Sequence, residues 1–187
     1  MVMIRAWSVF IFKLLILISC YKSTDKKNVD KVNDERFGDK QESKEARFLV
    51  DIIDRSYGIL ELAQLGEEKI EDPLMKAKAK QIVQNQTSVG LRFKTFAERN
   101  DVTIPLSGPE KTRGKVKDLY EKSGDDFKRS WLRQLDNMHR DFSQKVTDFR
   151  DDADVPLQVV LDSTLVMIRQ NEEAILALDE TSKQNQN

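Results

Sequence analysis

The chain has 187 residues, 34% of them charged, with only 7 glycines and 4 prolines and with 31 basic against 32 acidic side chains. That composition suits one ordinary domain of long amphipathic helices rather than many short strands, and its balanced charge argues against nucleic acid, which needs a concentrated basic surface. One cysteine excludes an internal disulfide, and one histidine excludes an all-histidine metal site.

The first segment is charged and then apolar. Arg5 precedes a run from Val9 to Ile18 that only Lys13 interrupts. This is the layout of an export signal, too short and too broken to persist as a membrane-spanning helix. The run ends at Leu17-Ile18-Ser19-Cys20, which resembles the bacterial lipobox. The resemblance implies a signal peptide over 1–19, cleavage before Cys20 and acylation of its thiol, which makes the membrane the expected partner. Two or more acyl chains, at about 0.8 kcal/mol per buried methylene, hold a soluble domain stably on a bilayer. Tyr21 rather than an aspartate follows the cysteine; the resemblance then implies the outer membrane, with the domain facing the periplasm. Loss of Arg5 and Lys13 takes the formal charge from -1 to -1 - 2 = -3.

Residues 20–42 are rich in Lys, Asp, Asn, Ser and Glu and nearly devoid of large apolar side chains. They read as a flexible polar tether, because they bury too little surface to offset the entropy of ordering. The bundle domain is expected over 43–180. A first helix over about 44–70 carries Phe48, Leu49, Ile52, Ile53, Ile59, Leu60 and Ala63 at helical spacing. Asp72-Pro73 supplies a cap and a first-turn proline for a second helix with Met75, Ala79, Ile82, Val89, Phe93, Phe96 and Ala97 on its apolar face, ending at Asn100 and Asp101. The short link makes this pair antiparallel. A loop with Pro105, Gly108 and Pro109 leads into a short helix over about 109–122.

Asp125 is placed to cap a third long helix with Phe127, Trp131, Leu135, Met138, Phe142, Val146 and Phe149 as its stripe. Asp151 to Pro156 breaks the chain, and a last helix over about 155–180 carries Leu157, Val160, Leu161, Thr164, Ile168, Ile175 and Leu178 before a polar tail, 181–187. The expected fold class is all-α: an antiparallel four-helix bundle with a short extra helix between the second and third long ones.

Reactive chemistry is hard to find. The glycines are scattered, so neither a phosphate loop nor a dinucleotide fingerprint is present. No serine sits in a nucleophile elbow, and Cys20 is expected to be acylated. The informative residues are polar ones on apolar stripes: Gln86 between Ile82, Val89 and Phe93, His139 beside Leu135, Met138 and Phe142, and Asn171 between Ile168 and Ile175. Each projects inward in a bundle, and such groups are expected to form an interior polar cluster.

From Phe48 to Leu178 the chain resembles the bacterial domain-of-unknown-function family numbered 4142, exported proteins with a ferritin-like helical bundle. The carrying segments are Ile59-Leu60-Glu61-Leu62 with Asp72-Pro73, the run Ala79 to Thr87, the ending Val102 to Pro105, Trp131 to His139, and Thr164-Leu165 to Asn171. The resemblance invites comparison with di-iron carboxylate bundles, whose ligands are Glu and His from facing helices. It also implies that Ile59 replaces an inward glutamate, and that Gln86 and Asn171 replace histidines, so that only His139 remains. Helical geometry rotates Glu61 away from the stripe, and Asp136, at i,i+3 from His139, points further out. One histidine with one partner is a poor metal site.

The sequence therefore leads to the expectation of a membrane-anchored envelope lipoprotein whose helical domain is not an enzyme, holds no cofactor and no metal, and has a structural or interaction role. The alternative is a ferritin-like metal-binding or oxidative-stress protein with a degenerate site. Tyr57 and Tyr120 lie off the main stripes and are candidate contacts for a protein partner.

Overall fold

The computed structural model describes residues 26–38 and 41–184, with side chains to 180. Among these residues there are six α-helices, one 3-10 turn and no strand: α1 (Lys26–Phe37), α2 (Gln41–Lys69), α3 (Pro73–Arg99), α4 (Glu110–Tyr120), α5 (Gly124–Phe149) and α6 (Val155–Gln184), with the turn at Arg150–Asp152. The protein is all-α. None of the described helices is long and apolar enough to cross a membrane.

The helix ends follow local chemistry. Asp72 Oδ1 accepts from the Met75 backbone N–H at 2.8 Å and Pro73 opens α3, as its sequence predicts. Asp154 caps α6 in the same way, through the Leu157 N–H at 2.9 Å. The end of α3 is closed by Asp101 in the left-handed region (φ 55), which lets the Val102 N–H reach back to the Ala97 carbonyl at 2.9 Å. The cap expected from Asp125 is not made: the N-cap of α5 is Ser123, Gly124 takes φ 54, and Asp125 lies inside the first turn beside Lys128. α6 also runs on to Gln184, into the segment expected to be a polar tail.

α2 is the central element. It packs against α1, α3, α4 and α5, while α6 packs against α3 and α5. Its buried residues accordingly cover more than one stripe and include Ala46, Val50, Leu62 and Leu65. Trp131, Phe93 and Phe142 supply the largest fully buried side chains of the core, each contributing roughly 3 kcal/mol by transfer from water. At one end the Phe48 and Phe149 rings stack with centroids 4.1 Å apart. At the other, Trp131 Nε1 donates to the Leu62 carbonyl at 2.8 Å. The ring fits because residue 66 is glycine: a Cβ there would lie 2.1 Å from Trp131 Cζ2.

The expected tether over 20–42 is corrected by α1. Residues 26–37 are helical and docked. Val29 enters the core, and Asn33, 1% exposed, forms a two-way pair with the backbone of Thr103 through Nδ2 to the carbonyl (2.8 Å) and the amide to Oδ1 (2.9 Å). Arg47 pairs with Asp34 at 2.8 Å and Lys26 pairs with Asp51. Polar composition was a poor guide here because one buried valine, hydrogen bonds to a distant loop and ion pairs to α2 together fix the segment.

Candidate functional site

The level of the long helices that carries polar side chains is fixed by several contacts. Gln86 Nε2 on α3 donates to Ser56 Oγ on α2 at 2.8 Å. Asn85 Nδ2, next along α3, donates to Asn171 Oδ1 on α6 at 3.0 Å. On α5, Met138 Cε sits 3.0 Å from where a Cβ of Gly58 would stand, which brings its neighbour His139 to the same level of α2. The four long helices thus bring Ser56, Gln86, His139 and Asn171 to about the same level of the bundle.

Gln86, His139 and Asn171 are each fully buried. Yet no direct hydrogen bond joins the three: Gln86 is engaged by Ser56, Asn171 by Asn85, and both nitrogens of His139 lack a partner among the described residues. Gln86 Oε1 and Asn171 Nδ2 are also unpaired. A neutral imidazole offers one donor and one acceptor, so the layer encloses two unmatched donors and two unmatched acceptors. Each such group costs about 1–3 kcal/mol. Burial alone pushes the His139 imidazole from 6.5 down to about 4, so it is neutral at pH 7. Its ring lies near that of Phe142, with centroids 6.4 Å apart.

This donor set does not fit a di-iron or other divalent centre. A hard or borderline cation wants carboxylates or several imidazoles, and the layer presents one imidazole, two amides and a hydroxyl. Among the described residues no group of three or more His, Cys, Asp or Glu could hold a metal ion. Ile59 fills its place as core. Asp136 faces away and pairs with Arg140 at 2.9 Å. Glu61 is not fully solvated: it is half-buried against α4, and burial raises its carboxyl above the usual range. Neither His139 nitrogen is bonded to a hydroxyl or carboxylate among the described residues, the contact that general acid–base chemistry needs.

Ser56 and Asn85 are the hydrogen-bond partners of the layer, a role the sequence reading assigns to neither. Ser56 stands three residues from both Ile53 and Ile59, a spacing that puts it on their face. Asn85 lies one residue off its stripe, and no periodicity marks it. Of the two tyrosines, Tyr57 packs against the core, whereas Tyr120 is exposed with Lys69 Nζ 4.8 Å from its ring centroid. Cys20 lies outside the described residues.

Fold and layer together define an all-helical domain with a neutral polar interior. The chain belongs to the family described as domain of unknown function (DUF4142), whose family model matches residues 34–178. The match begins inside α1 and covers the helices that build the polar layer. No curated protein and no solved structure matches the chain.

Proposed function

We propose that the chain is a membrane-anchored envelope lipoprotein. Residues 1–19 are its signal peptide, Cys20 carries the acyl chains, and an antiparallel, ferritin-like four-helix bundle serves as a non-catalytic structural or interaction module. The observation that carries this reading is Leu17-Ile18-Ser19-Cys20 directly after an apolar run. The cyclic packing of α2, α3, α6 and α5 supports the bundle. The neutral, partner-poor layer around His139 supports a role without catalysis.

Docking of α1 sharpens the geometry. Lys26 follows Cys20 by 26 - 20 = 6 residues, a span of at most about 20 Å. The anchored domain then stands against the bilayer instead of ranging on a long leash, on the periplasmic face of the outer membrane. Cys20→Ala tests the anchor: the variant is expected in the soluble fraction, and its retention in membranes would refute the reading.

A metal-binding role has one observation in its favour, the inward His139. Elemental analysis of protein from its own host decides it. Stoichiometric iron, manganese or zinc that vanishes in His139→Ala would replace the proposal above.

A further inference from the structure

A cleft of about 360 Å³ opens between the start of α1, the middle of α2, the N-terminus of α4 and α5. Most charges around it are matched. Asp51 receives Lys26, Arg55 and Lys145, and Arg55 also pairs with Asp141. These contacts hold the Asp51 carboxyl down at about 2, against the opposing effect of its burial.

Three charges are left over. Asp54, on the wall formed by α2, is 8% exposed and makes no hydrogen bond or ion pair with any described residue. Burial raises its carboxyl above the usual range. On the α4 side, Lys111 and Lys115 line the cleft and likewise have no bonded partner among the described residues. The N-terminus of α4 adds to their field. Its cap, Pro109, offers no side-chain acceptor, and its carbonyl takes only the Thr112 and Arg113 amides at 2.9 and 3.1 Å. The amides of Glu110 and Lys111 stay available to an anion.

Asp54, which feels Lys26 and Arg55 only through their field, shares a small cleft with two lysines and a helix N-terminus, a lining that suits a ligand carrying both a hydrogen-bonding cation and an anion. We propose that this cleft binds a phosphoethanolamine group, its primary ammonium on Asp54 and its phosphate on Lys111, Lys115 and the free amides of α4. Lysines and helix N-termini are ordinary phosphate partners. A primary ammonium can donate to Asp54, and a quaternary one cannot. Lys26 lines the same cleft six residues after Cys20; a bilayer headgroup as the source rests on the lipoprotein reading, whereas the chemistry of the cleft does not.

The test is calorimetric titration of the full-length protein, purified in detergent, with O-phosphoethanolamine, inorganic phosphate, ethanolamine and glycine in separate arms. O-phosphoethanolamine is expected to bind at least about tenfold tighter than any other arm, and Asp54→Asn to weaken it by about tenfold or more, the scale of one charge-assisted hydrogen bond. Lys111→Gln/Lys115→Gln, at the cleft mouth, is expected to do the same with an unchanged unfolding midpoint, which keeps the test valid if Asp54→Asn misfolds. Dihexanoyl phosphatidylethanolamine binding in preference to dihexanoyl phosphatidylcholine supports a lipid source; binding of the free compound alone supports a soluble one. Equal binding of glycine or phosphate, or no loss in either variant, overturns the proposal. The mass of Cys20 peptides reports separately on the anchor.

Discussion

Two levels of the same helix pair, α2 and α5, are built by opposite rules. At the Trp131 level, the indole N–H is bonded and its ring packs against a glycine where no Cβ would fit, so the level is tight. At the His139 level, roughly two turns along α5, the four long helices enclose four polar atoms, on α3, α5 and α6, without partners among the described residues. The first level is specified by shape; the second spends stability on polarity. Residues retained at such a cost are those whose removal should be easy on the fold.

The largest expected effect is at the tight level. Gly66→Ala puts a Cβ 2.1 Å from the indole, and the rigid ring cannot yield without moving α5. Overpacking of that kind costs about 3 kcal/mol, read as a drop in the denaturation midpoint. An unchanged midpoint would show that the level is plastic.

A similar magnitude is expected at the polar level, through pH. The unfolded imidazole protonates below 6.5 and the folded one only near 4. Between these values the unfolded chain holds the extra proton, so stability falls as pH falls. The full loss is about 3 kcal/mol. Asp51 works in a lower window: its contribution is present above 3.8 and is lost as pH falls toward about 2. Urea unfolding at stepped pH should therefore show the decline starting near 6.5 rather than near 4.

Removing the imidazole should be a smaller effect of opposite sign. His139→Leu is expected to raise stability at pH 7 by about 1 kcal/mol, since it deletes two unpaired groups in a buried place. It should also flatten the profile between pH 6.5 and 4; a destabilised variant with the slope intact would contradict the layer as described. Smallest globally is Asn33→Ala, which removes both bonds to Thr103. It should loosen α1 by about 1–2 kcal/mol, seen as faster amide exchange over 26–37 with the core unchanged.

Much of this contrast was legible in the sequence. The long helices, the Asp72-Pro73 start and the inward faces of Gln86, His139 and Asn171 follow from the 3.6-residue period and cap chemistry. What periodicity cannot carry is pairing across helices. It gave no sign that Asn85 would take Asn171, that Gln86 would choose Ser56, or that His139 would be left alone. The docking of α1 escaped for the same reason, since one asparagine bonding a loop seventy positions later leaves no periodic trace. Asp54 escaped because its charge looks like any other on a helix that α1, α4 and α5 happen to cover.

His139 is the protein's one histidine, so its ring protons give an unambiguous NMR titration. The imidazole should remain neutral, with no shift change, from pH 8 down to 5. A midpoint near 6.5 would mean that solvent reaches the ring, and the sealed polar interior would have to be abandoned.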